Sequence, residues 1–132
     1  MNATAMPRPA ASILVIEDEP SVSAFVRAAL ERRGYNVIQA SSGAAGLEQL
    51  QNESFAGVIS DIRMPGTLNG ADVHDWIRKN RPDLAGRIIL ISGDTANRET
   101  QSLLASSPTP CLEKPFRVQK LISMVEKTFG KP

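Results

Sequence analysis

One cysteine, Cys111, and one histidine, His74, occur in the 132 residues. A single thiol excludes an internal disulfide framework and removes any case for a cysteine metal cluster. A strong charge of either sign is also missing. Fifteen Lys and Arg stand against fourteen Asp and Glu, for a formal net charge of +1, which gives no electrostatic reason to expect nucleic acid or an anionic membrane as partner. No apolar run approaches the length of a membrane span. The opening MNATAMPRPAAS lacks the basic start, apolar stretch and cleavage site of a secretory signal. Its Ala, Pro and Ser content reads as a flexible leader over residues 1–11, and the expected location is the cytoplasm. Internal repeats and coiled-coil heptads are absent too, so one domain is expected over residues 12–130.

What is present is an ordinary globular composition, 42% apolar and 22% charged, arranged in short apolar runs that alternate with helical stripes. The runs are Ile13 to Ile16, Tyr35 to Ala40, a stretch through Val58 and Ile59 that ends at Asp61, Arg87 to Ile91, and Thr109 to Glu113. They read as five strands. Pro110 in the last suggests an edge. Between them the spacing predicts helices over about 20–32, 43–52, 71–80, 95–105 and 117–129. Val22, Phe25, Val26, Ala29 and Leu30 form the stripe of the first. Val118, Leu121, Ile122, Val125 and Phe129 form that of the last. Gly43 and Gly46 should weaken the second helix, and Ser41 or Ser42 should cap it. The fourth has a narrow apolar face and should be weakly held. Short connections and right-handed crossovers then require an α/β, doubly wound, mostly parallel sheet with helices on both faces.

In such a sheet the loops after the strands gather along one edge. That edge would collect Glu17, Asp18 and Glu19 from strand one, Asp61 from strand three, Ser92 from strand four and Lys114 from strand five. Each alone reads equally well as a solvated acid, a turn, a cap or a surface lysine. Together they are a charge problem: two like charges about 4 Å apart repel by roughly 4 kcal/mol at an effective dielectric near 20. The cluster therefore wants a cation, or one acid keeps its proton. Oxygen ligands without nearby His or Cys favour Mg²⁺ over Zn²⁺. A metal and a lysine facing a carboxylate nucleophile form an arrangement suited to accepting a phosphoryl group.

The motifs ILVIEDEP, VISDIRMPG, IILISGD and CLEKPF, in this order and spacing, resemble the response-regulator receiver domain of two-component signalling, from about Ile13 to Phe129. The resemblance implies a flavodoxin-like (βα)5 fold with strand order 2-1-3-4-5. It implies that Asp61 accepts a phosphoryl group from a histidine kinase or histidine phosphotransfer protein. Asp18 would be the principal Mg²⁺ acid (Mn²⁺ being an acceptable substitute), Glu17 its neighbour acting through a metal-bound water, and the Arg63 backbone carbonyl the completion of the shell. Ser92 and Lys114 would meet the phosphoryl oxygens, and the Lys114–Pro115 bond would be cis. The switch would then act through the strand 4–helix 4–strand 5–helix 5 face, in a monomer or weak homodimer and with no enzyme activity beyond self-catalysed phosphoryl transfer and loss.

Cys111 occupies the place where that family usually has a switching aromatic. A thiol cannot fill a ring pocket, so output should travel through backbone and helix shifts, with Phe116 as the aromatic that could overturn this. Cys111 itself reads as a small buried hydrophobe. Arg63 and Asp94 fall where phosphoryl lifetime is tuned, though an exposed ion pair is the plainer reading. The GTLNG turn and Ser106 to Pro110 depart from the common form. His74 reads as a solvated surface residue and Trp76 as packing. No output domain is expected in this chain. A receiver belonging to a hybrid histidine kinase is the close alternative. A pseudo-receiver without phosphorylation, a metal-dependent phosphatase and a flavin-binding domain fit the strand-tip residues less well.

Overall fold

The computed structural model describes residues 12–64, 66, 68–93, 98–106 and 109–132, so the expected leader falls outside them. In chain order the elements are β1 (Ser12–Ile16), α1 (Pro20–Arg32), β2 (Asn36–Ala40), α2 (Gly43–Asn52), β3 (Gly57–Asp61), α3 (Gly70–Asn80), a 3-10 turn (Pro82–Leu84), β4 (Ile88–Ser92), α4 (Arg98–Ser106), β5 (Cys111–Glu113) and α5 (Val118–Phe129). All neighbouring strands pair parallel, in the order β2-β1-β3-β4-β5. This is the doubly wound sheet expected, with the Pro110 strand at an edge.

The pleat divides the core in two. Ile13, Val15, Ile59, Ile89 and Ile91 face one layer, where they meet Val26, Leu30, Leu121 and Val125 of α1 and α5. Leu14, Ile16, Val58, Ile88 and Leu90 face the other, against Leu50 of α2 and Val73 and Ile77 of α3. Strands β3 and β4 are buried at every position, as parallel strands covered on both faces must be.

The helix starts follow from local chemistry. Pro20 opens α1, where its missing N–H costs nothing. The Ser42 hydroxyl accepts from the Ala45 amide at 3.0 Å. At α3, Asn69 and Asp72 exchange side-chain and backbone bonds in a capping box.

Gly43 and Gly46, besides their low helix propensity, mark close approach: a Cβ on Gly46 would collide with Ile16, and one on Gly43 with the Leu68 carbonyl. Two expectations need correction. Phe25 and Val118 are each 41% exposed rather than core. Phe25 lies at the rim of its layer and packs on Phe116, ring centroids 5.9 Å apart. Second, His74 is not on the surface. It is 2% exposed, because positions 70, 73, 74 and 77 form the buried stripe of α3. Its Nε2 lies 2.7 Å from the Thr109 hydroxyl, which satisfies a buried polar group. Trp76 is partly buried and packs against the same layer.

Candidate functional site

Glu17 follows β1 directly, and its amide donates to the Ala40 carbonyl at 3.0 Å. The sheet ladder thus carries the acid to the strand tip. Asp61 ends β3 and pairs with Ile91, one residue before Ser92. Both Asp61 and Ser92 are buried. Beyond β5, the Lys114 amide donates to the Ser92 carbonyl at 2.8 Å, which ties the lysine's backbone to the tip of β4. The Lys114–Pro115 bond is cis. Gly70 closes the floor: a Cβ there would collide with the Asp61 carbonyl, so only glycine lets α3 start this close to the acid.

The Lys114 ammonium sits among three carboxylates. It lies 2.9 Å from Asp61 Oδ2, 2.7 Å from Glu19 Oε1 and 3.4 Å from Glu17 Oε1. The second Asp61 oxygen, Oδ1, accepts from the Arg63 amide at 3.2 Å, while the Arg63 residue is exposed. Glu17 Oε2 accepts from the Glu19 amide at 3.2 Å. Its other oxygen, Oε1, is buried and makes no hydrogen bond, only the longer 3.4 Å ion-pair contact with Lys114.

Charge in this cavity is unbalanced. Burial, then the neighbouring Asp61 carboxylate, push the Glu17 carboxyl up to about 7. Burial on its own would lower the Lys114 ammonium. Hydrogen bonds to Asp61 and Glu19, with the charges of Asp61 and Glu17, outweigh it and raise the pKa. One ammonium does not neutralise three acids. A divalent ion with an affinity for oxygen fits this deficit: the donors are all carboxylate, and the unbonded Glu17 oxygen faces the cluster.

The residues expected at the site are brought together unevenly. Glu17, Asp61 and Lys114 meet. Ser92 is buried at the adjacent strand tip. The carboxylates whose oxygens lie within 4.8 Å of one another are Glu17, Glu19 and Asp61. Asp18, half-buried, is not among them. Glu19 was read only as part of an acidic strand tip, and no pattern marks it as the lysine's partner. Asp94 lies outside the described residues. Cys111 is half-buried and packs in the layer of α2 and α3. Phe116 packs in the opposite layer, so it does not stand in for the missing aromatic beside Cys111.

A doubly wound parallel sheet in the order 2-1-3-4-5, with acids from two strand tips and a lysine from a third, defines a domain of the flavodoxin-like class. The pattern of the response regulator receiver domain matches residues 13–126, and the chain belongs to that family. It is 33% identical over 115 residues to the response regulator receiver protein CpdR of Brucella abortus, covering 87% of this chain and 93% of that protein. It is also 33% identical over 125 residues to the sensor kinase CckA of Brucella abortus, covering 92% of this chain but 13% of the kinase. Among solved structures, a receiver domain protein of Methanospirillum hungatei superposes with a TM-score of 0.81 at 23% identity, covering 90% of this chain and 93% of that one. A receiver domain protein of Clostridium thermocellum superposes with a TM-score of 0.75 at 32% identity, covering 90% and 94%.

Proposed function

We propose that this chain is a phosphoacceptor switch of a two-component or phosphorelay pathway. Asp61 is the acceptor and a phosphohistidine, on a histidine kinase or phosphotransfer protein, the donor. An Asp61 carboxylate oxygen attacks phosphorus while the P–N bond breaks, its electron pair leaving with the imidazole. Lys114 and Ser92 then meet the new phosphoryl oxygens. Water attack on phosphorus later releases phosphate and restores the carboxylate. A bound Mg²⁺ supplies charge neutralisation for the phosphoryl oxygens, and Glu17, Asp18, Asp61 and the Arg63 carbonyl would hold it; Mn²⁺ has the same donor preference.

The observation that carries this reading is the 2.9 Å contact between Lys114 Nζ and Asp61 Oδ2 in a buried, acid-rich cavity. Incubation with acetyl phosphate and Mg²⁺, followed by intact mass, tests it. The parent should gain one phosphoryl mass and Asp61→Asn none. A parent that stays unmodified would make the chain a binding module of receiver shape.

Output is assigned to α4, β5 and α5, whose anchoring strand tips Ser92 and Lys114 respond to the added charge. Arg63 and Asp94 set phosphoryl lifetime. The proposed location is the cytoplasm and the proposed state a monomer or weak homodimer; among the described residues no helix is long and apolar enough to cross a membrane. The match to a short stretch of CckA supports a second reading, a receiver within a hybrid kinase. The full-length gene separates the two.

A further inference from the structure

Glu19 stands at the N-cap of α1, yet its side chain makes no cap bond. An N-cap side chain ordinarily accepts from the first-turn amides. Here the carboxylate, 56% exposed, reaches across the fold to Lys114 Nζ instead, and at 2.7 Å this is the shortest of the lysine's three acid contacts. The second observation is the buried Glu17 Oε1 in the same cluster, which makes no hydrogen bond although the same ammonium lies 3.4 Å away.

We infer that Glu19 is a positioning residue, holding the Lys114 ammonium in a shared grip with Asp61 so that it can leave Asp61 without leaving the cavity. The inference rests on the phosphoacceptor reading. An ammonium has three donors, and two are committed to Glu19 and Asp61. When Asp61 turns to a divalent ion or a phosphoryl group, the lysine must give up that carboxylate. Glu19 keeps it tethered at the rim. Without Glu19 the ammonium settles on Asp61 and Glu17, the oxygens that a cation needs, and competes with it.

A Mg²⁺ titration, followed by backbone amide NMR, over Glu19→Ala, Lys114→Met and the double variant tests this. Expected is weakening of Mg²⁺ binding by about three- to tenfold for Glu19→Ala with Lys114 present, and less than about twofold in Lys114→Met, a coupling between contacting residues. Equal weakening in both backgrounds would mean that Glu19 acts directly on the ion and would overturn the inference; so would no change with Lys114 present. Should Lys114→Met fail to fold, the metal-free ¹⁵Nζ lysine spectrum of Glu19→Gln answers the same question. Its Lys114 ammonium resonance must shift and the other lysines must not, and an unmoved resonance overturns the inference. Neither readout needs phosphorylation, so acetyl phosphate loading of the parent judges the phosphoacceptor reading separately.

Discussion

The imidazole Nε2 of His74 and the hydroxyl of Thr109 lie 2.7 Å apart, joining the buried face of α3 to the segment that enters β5. Burial first, then the Arg78 charge, lower the His74 pKa below its usual 6.5, while Asp75 opposes them. Below that value the unfolded chain takes up a proton that the folded chain does not. Stability is therefore full above pH 6.5 and falls as pH drops toward the folded pKa. In urea unfolding at pH 7.5 and 5.5, the parent should lose stability relative to His74→Gln, whose amide can still bond Thr109, as pH falls; the difference between the two cancels the opposite contribution of Glu17.

Glu17 acts with the opposite sign. Its folded pKa of about 7 exceeds the ordinary 4.5, so between these values the folded state binds more protons. In metal-free buffer its contribution falls as pH rises from 4.5 to 7, by roughly 2–3 kcal/mol. Glu17→Gln should remove that slope. Saturating Mg²⁺ should flatten it in the parent, which denaturation with and without chelator would check.

Gly57 leaves room for a ring. A Cβ there would lie 2.5 Å from Phe129 Cδ1, among the buried side chains of the α1 and α5 layer. Gly57→Ala should destabilise by about 1–3 kcal/mol through overpacking, measured by thermal or urea unfolding. Gly66→Ala, where no atom lies within 4 Å but φ is +100°, should lose stability by backbone strain instead.

Burial first, then the nearby Glu113 charge, raise the Cys111 thiol pKa. Thiolate is the reactive form. Alkylation of the folded protein by iodoacetamide at pH 7.5 should therefore run at least several-fold slower than that of the urea-unfolded chain, read by intact mass.

The sheet was legible because β-branched runs end in turn residues and the stripes between them are helical. The acids and lysine at the strand tips were legible for the same reason, since topology alone collects them. His74 could have been placed correctly: Val73 and Ile77 fix the inner face of α3, and position 74 shares it. Glu19 could not, because an exposed acid that reaches a lysine looks in sequence like any exposed acid. The close contacts of Gly46, Gly57 and Gly70 were equally hidden. Their partners, Ile16, Phe129 and Asp61, are distant or unremarkable along the chain.

Strand β5 has three residues, pairs on one side only, and buries Leu112 alone. The lysine beside Asp61 is thus mounted on the thinnest margin of the sheet. Its reach depends on how that margin swings as well as on its own four methylenes. A ligand that grips β5 from outside would therefore adjust the chemistry at Asp61 while touching none of the acids.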